Sequence, residues 1–230
     1  MPIGVLCECG GVFLGGLIGT VCGKYIDDET KDLLTAIFGL AAIGNGIMSL
    51  IKCSAMPPMT LALIIGTLLG HLLRMEQGVK TGLRTLLDKL PIPTGKVDMD
   101  EYVTIVAIFC ASGFGIYGAL MEGMSGDSSI LLSKSIMDFF TAVIFAGTMG
   151  AAVSLIAAPQ FAVFFFFFWV AGRIIPLTTP ELLNDFMACG GILTIAAGLR
   201  VSKIKDIPLI NMLPALVLVM PFSWVWGMIF

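Results

Sequence analysis

The sequence is poor in charged residues and in histidine, and it has almost no long polar segment. Only 13% of its 230 residues are charged and one is a histidine, whereas 57% are hydrophobic. A soluble domain of this size needs a charged surface to face water, and this composition excludes one. A chain that lies in lipid is apolar on its outside as well as in its core. We therefore predict an all-α fold, a polytopic transmembrane helix bundle that forms one integral membrane domain over residues 1–230.

The sequence also lacks the common motifs of catalysis and metal binding. Its six cysteines stand in apolar segments without CxxC or Cys/His spacing, and no HExxH motif or nucleotide-binding glycine loop occurs. With one histidine, most hydrolytic schemes lack a base. We expect no enzymatic activity, no metal, no cofactor and no nucleic-acid partner. An acid pair of Asp138 and Glu122 is the remaining catalytic alternative.

Eight apolar runs approach the roughly 20 residues that a helix needs to cross the hydrocarbon core. They are 2–23, 33–51, 56–73, 102–124, 139–158, 161–177, 186–200 and 209–230. The first run has no basic flank and is long enough to span, so we expect a retained helix rather than a signal peptide. The polar stretch at 74–101 begins with apolar residues at helical spacing beside basic ones, which predicts a cytoplasmic amphipathic helix and loop.

The basic residues predict the orientation, because short loops rich in Lys and Arg remain in the cytoplasm. With eight spans, one side carries Lys24, Lys31, Arg74, Lys80, Arg84, Lys89, Lys96, Arg200, Lys203 and Lys205. The other side carries only Lys52 and Arg173, with Lys134 near or within a helix. The count of eight spans and the distribution of basic residues therefore agree. Both termini are predicted to lie outside the cytoplasm, and the chain is predicted to lie in the inner (plasma) membrane.

Glycines recur every fourth residue in the first run, and the third run repeats part of that pattern. These glycines are Gly11, Gly15, Gly19 and Gly23, then Gly66 and Gly70. Small residues at this spacing let helix backbones approach closely, so the stripe is typical of helix packing. The alternative is a backbone that approaches a permeating solute. An exposed stripe also makes a homodimer an expectation.

Two segments in opposite halves of the chain match without gaps. Residues 29–47 align with residues 181–199, with five identities that include Gly39 with Gly191 and Gly46 with Gly198. Under the predicted topology the two segments run in opposite directions. The match therefore indicates an inverted repeat of helices 1–3 and 6–8, an architecture of secondary transporters, or else chance similarity of biased composition.

Two charges stand four residues apart in the polar segment that leads into the fifth run. This spacing puts Lys134 and Asp138 on one helix face. If the helix begins near Asp127, Asp138 lies about 16 Å along it, close to the membrane midplane. Charges at that depth usually face the bundle interior or water, which predicts a functional site with Ser135 as a neighbour. A structural ion pair, or a span that begins later, is the alternative.

Other polar side chains in the spans are candidates for the same site. They are Glu8 in the first run, Asn45 in the second, Glu122 near the end of the fourth and Asn211 in the eighth. Each also has a structural interpretation, as an interfacial group or as a hydrogen bond between helices.

Five segments carry a family resemblance: MPIG followed by GGLIGTVCGK, then GDSSILLSKSIMDFFTAVIFAGTMG, GGILTIAAGL and NMLPAL. In this order they resemble the bacterial YqgA/YdfK-like family, classed as a domain of unknown function, over nearly the whole chain. The KSIMD segment at 134–138 is the most specific element. The resemblance implies a multi-pass membrane protein, described as a candidate transporter. At Glu8 it implies a neutral polar residue in relatives, so it assigns no role to that carboxylate.

The charges and the repeat together favour a small-solute or ion transporter or channel with a charged midplane site. The alternative is a scaffold or regulatory subunit of a partner complex that transports nothing, in which the ion pair fixes the register of two helices. The expected partners are the lipid bilayer and a small solute or ion.

Overall fold

A computed structural model describes residues 1–25, 27–88, 98–110, 112–174 and 178–229, and within these ranges the chain contains helices and no strand. The helices are α1 (Ile3–Cys22), α2 (Asp28–Leu50), α3 (Met56–Leu72), α4 (Met75–Asp88), α5 (Met99–Cys110), α6 (Gly113–Ser125), α7 (Ser129–Met149), α8 (Ala157–Ile174), α9 (Pro180–Val201), α10 (Leu209–Met212) and α11 (Pro214–Ile229). The predicted all-α membrane bundle is confirmed.

The described helices form six to eight membrane spans. Six stretches are long and apolar enough to cross a membrane, and α3 with the start of α4, bent by 57°, makes a seventh. One stretch of 45 residues contains both α7 and α8. It divides at Gly150, which has a φ of 69°, a conformation that a residue without a β-carbon adopts at low cost. The division brings the number of spans to eight.

Several span boundaries differ from those predicted. The fifth span begins at Ser129 rather than at residue 139, because its serine-rich start packs against α1 instead of lying in a loop. The seventh begins at Pro180 rather than at 186, with Thr179 accepting a hydrogen bond from the backbone N of Leu182 at 3.4 Å. The predicted ends at 177 and 230, and residues 89–97 of the polar stretch, lie outside the described residues.

Helix contacts define the relative directions of the spans. Gly11 of α1 lies against Ser135 of α7, and Gly19 lies against Val143, so α1 and α7 run parallel. Gly66 of α3 lies against Ala215 and Gly70 lies against Asn211, so α3 runs antiparallel to the last span. These directions are the ones that an eight-span chain requires.

The helices α2 and α9 cross through reciprocal glycine contacts. A β-carbon added to Gly46 would lie 2.6 Å from the carbonyl oxygen of Gly191, and one added to Gly191 would lie 2.6 Å from that of Gly46. Gly39 and Gly198 face each other in the same reciprocal way, at 2.8 and 2.5 Å. Gly39 aligns with Gly191 and Gly46 with Gly198, so exchanging the two aligned segments reproduces the contacts. A twofold axis between inverted repeats predicts this pattern.

Candidate functional site

A buried cluster of three charged side chains joins α1 and α7. Lys134 and Asp138 lie one turn apart on α7 and form an ion pair. The Lys134 Nζ also donates to Glu8 Oε1 of α1 at 2.7 Å, and it lies 5.7 Å from the centre of the Phe164 ring. The exposed fractions are 0% for Glu8, 7% for Lys134 and 8% for Asp138. The glycine face of α1 lets the two helices approach closely enough for these contacts.

A glutamine that the sequence analysis missed completes the cluster. Gln160 of α8 is fully buried, and its Nε2 donates to Glu8 Oε1 at 3.0 Å and to the carbonyl oxygen of Phe109 at 3.4 Å. Glu8 and Gln160 are 152 residues apart, the same offset that aligns Glu29 with Glu181. A lone amide inside an apolar run was the signal in the sequence that could have found it.

The fourth span is broken beside this cluster. Helix α5 ends at Cys110, one residue after the carbonyl that accepts from Gln160, and α6 begins at Gly113. The Ser112 Oγ caps α6 by accepting from the backbone N of Gly115 at 3.3 Å. Broken helices that leave backbone groups at membrane depth are tolerated where they are buried in protein or line a cavity.

A cavity of about 330 Å³ adjoins the charged cluster. Its polar wall consists of Lys134, Asp138 and Thr141 from α7, Asn45 and Ser49 from the end of α2, Lys52 just after α2, Thr194 from α9, and Ser112. The volume holds about ten water molecules at roughly 30 Å³ each. The rest of the lining is apolar and consists of Phe38, Ala42, Met48, Ile108 and Met137. The ion pair therefore borders a cavity of mixed polarity rather than a sealed core.

The other predicted site residues lie apart from this cluster. Glu122 is buried and accepts from the backbone N of Gly4 at 2.6 Å and of Val5 at 3.0 Å, so it caps the start of α1. Asn211 accepts from the backbone N of Glu76 at 3.0 Å. Ser135 lies against Gly11, within the contact between α1 and α7. Of the predicted candidates, the structure brings together Glu8, Lys134 and Asp138, with Asn45 in the cavity wall.

A second group of charges lies at the C-terminal end of α9. Arg200 pairs with Glu76 at 3.0 Å and with Asp206 at 2.8 Å, and it lines another cavity of about 340 Å³. Because Thr194 and Arg200 are six residues apart on one helix, the two cavities are separated by about 9 Å along α9.

Two further acidic residues have structural contacts of their own. Asp185 of α9 is 1% exposed and accepts from the backbone N of Ser54 at 2.7 Å and of Ala55 at 2.9 Å, and from the Ser223 hydroxyl. Asp127 lies in the exposed turn before α7, where hydrogen bonds from Ser129 lower its pKa. An ionised Asp127 fits an interfacial position about 16 Å from Asp138 along the helix axis.

The fold and the buried charges define a multi-pass helical membrane protein. The chain belongs to the family described as "Protein of unknown function (DUF554)", whose model matches residues 3–224. It is 43% identical over 230 residues to "Uncharacterized protein YqgA" of Escherichia coli (strain K12), covering 98% of each chain. It is 29% identical over 212 residues to "Uncharacterized membrane protein YdfK" of Bacillus subtilis (strain 168), covering 90% of this chain and 89% of that protein. The family resemblance is thereby confirmed. No solved structure gives a significant match.

Proposed function

We propose that the protein transports a small polar solute or an ion across the inner membrane. The observation that carries the proposal is the cavity of about 330 Å³ whose wall contains the buried pair of Lys134 and Asp138. Charged side chains in membrane spans that face the bundle interior or a cavity often mark substrate and ion pathways. The cavity volume lies at the lower end of the range of about 300–1,000 Å³ for ligand pockets, which favours a small solute.

The second cavity supports a mechanism of alternating access. The first cavity extends along α2 to Lys52 at one end of the bundle, whereas the second lies beside Arg200 at the other. Rocking of one repeat against the other would open each cavity in turn. In this scheme the Arg200 ion pairs close the cavity at the cytoplasmic face, and both termini lie outside the cytoplasm. Transport of this kind needs no catalytic residue.

Efflux from proteoliposomes tests the proposal. Vesicles that contain the purified protein are loaded with a defined mixture of amino acids, small carboxylates and inorganic ions, and the solutes released are identified by mass spectrometry. We expect selective release of one solute class, which Asp138→Asn abolishes and the exposed control Lys205→Ala leaves unchanged. Equal release from protein-free vesicles would refute transport and favour the scaffold, in particular if a stoichiometric partner co-purifies.

A further inference from the structure

Two oxygen atoms in the buried cluster have no hydrogen-bond partner among the described residues. They are Glu8 Oε2 and Gln160 Oε1, and both residues are fully buried. The other polar atoms of these two side chains are hydrogen-bonded to each other, because Gln160 Nε2 donates to Glu8 Oε1 at 3.0 Å. An ionised carboxylate and an amide oxygen are both acceptors, so neither satisfies the other. Buried polar atoms without partners cost free energy, and this pair needs a donor.

The same cluster also lacks one positive charge. The titratable groups that interact with Glu8 are Lys134 and Asp138 from α7 and the Cys9 thiol of α1. The Cys110 thiol of α5 interacts with Cys9, Lys134 and Asp138. Lys134 is the one cation among them, so two ionised carboxylates would leave a net charge of −1. An uncompensated buried charge is costly, and more so at membrane depth.

We propose that Glu8 holds a proton on Oε2 in this conformation, donates it to Gln160 Oε1, and exchanges it with cavity water during transport. The inference rests on the proposed function. A single proton neutralises the cluster and supplies the donor that both oxygens lack. In the exchange, the Glu8 O–H bond breaks, the proton passes to water, and the carboxylate that remains pairs with Lys134. Rebinding reverses these changes, so each cycle carries one proton.

A proton fits this position better than a metal cation does. Hard cations take about six to eight oxygen ligands, whereas two oxygens are without partners here. Neither Glu8 nor Gln160 lines the cavity of about 330 Å³, so the pair lies behind Lys134 and Asp138. The Lys134 ammonium contacts both carboxylates, which makes it the link between Glu8 and the cavity. Exchange follows when Lys134 releases Asp138 and remains paired with Glu8.

Infrared spectroscopy of the purified protein tests the bound proton without any solute. We expect the C=O stretch of a protonated carboxylic acid in the wild type at neutral pH, and its loss in Glu8→Gln. The matched control is Asp185→Asn, which changes a buried carboxylate that four hydrogen bonds already satisfy; here the band should remain. Absence of the band in the wild type, or its survival in Glu8→Gln, would overturn the proposal.

A swapped variant guards against loss of folding in Glu8→Gln. Glu8→Gln combined with Gln160→Glu retains one acid and one amide in contact, and we expect it to restore the band. If the swapped protein is folded and shows no such band, the acid–amide contact does not hold the proton.

The coupling of proton movement to solute transport is measured with a pH dye trapped inside the proteoliposomes. Addition of the transported solute outside should acidify the interior with the wild type and leave the pH unchanged with Glu8→Gln. Uptake driven by a sodium gradient, with no change of pH, would overturn proton exchange in favour of a metal cation. If no solute moves, the transport proposal fails and takes the proposed exchange with it, while the infrared band still decides whether Glu8 holds a proton.

Discussion

Replacement of Lys134 by methionine tests whether the charge cluster holds α1 against α7. Methionine keeps most of the side-chain volume and removes the ammonium that contacts both Glu8 and Asp138. Removal of one partner from a buried ion pair costs about 3–5 kcal/mol, because the remaining charge has no compensation. Asp138 borders the cavity and is 8% exposed, so we expect a loss in free energy of unfolding near the lower end, about 3 kcal/mol.

The assay is reversible unfolding in mixed detergent and lipid micelles, with an exposed pair as the control. Lys203 lies 3.4 Å from Asp32, and their side chains are 76% and 74% exposed; exposed pairs contribute about 0–1 kcal/mol. Lys203→Met should therefore change the free energy of unfolding by less than about 1 kcal/mol. In the background of Asp138→Asn, Lys134→Met should cost clearly less than it does alone. A loss for Lys134→Met as small as that of the control would refute the reasoning.

Three further predictions concern packing, access and capping. Gly46→Leu should destabilise the protein by about 1–3 kcal/mol by forcing α2 away from α9, whereas Gly44→Leu, with open space around it, should change the unfolding free energy by less than about 0.5 kcal/mol. In a cysteine-free background, a membrane-impermeant maleimide should label Asn45→Cys in the cavity wall and not Ile47→Cys, which is 50% exposed outside it; equal labelling would contradict a water-filled cavity. Glu122→Ala should cost about 0.5–2 kcal/mol through loss of the α1 cap, measured by thermal unfolding, and Glu122→Gln should cost less because one acceptor remains.

The sequence predicted the fold well because its signals are local. Hydrophobic runs of span length need no tertiary information, and the charge distribution supports the count of eight. The apolar run at 139–158 missed the first ten residues of the fifth span, because Ser129, Ser133 and Ser135 lower the hydropathy there, whereas the helix start assumed near Asp127 agrees with the structure. The hydroxyls of Ser133 and Ser135 in fact donate to backbone carbonyls of their own helix, at 2.8 Å in each case, so a polar segment continues as a helix.

The candidate site was harder to predict because it depends on which helix faces which. The spacing of four residues places Lys134 beside Asp138 through α7 alone, whereas the contact with Glu8 requires α1 to pack parallel to α7. Nothing local distinguishes Glu8 from Glu122, since both are lone carboxylates in apolar segments. Their environments differ through tertiary contacts: Glu122 meets the free N–H groups at the start of a helix, and Glu8 meets an ammonium.

The offset of 152 residues that aligns 29–47 with 181–199 also relates Glu8 to its hydrogen-bond partner. Applied to α1, it maps residues 3–22 onto 155–174, which contain α8, and it maps Glu8 onto Gln160, its own hydrogen-bond partner. If the two halves are inverted repeats, two equivalent residues in contact lie on either side of the axis that relates them. A glutamate and a glutamine there have nearly the same shape, so the halves match in form and differ in their capacity to hold a proton. Because groups beside the axis are the least displaced when the halves exchange conformations, a proton on Glu8 would move little while access to it changes sides.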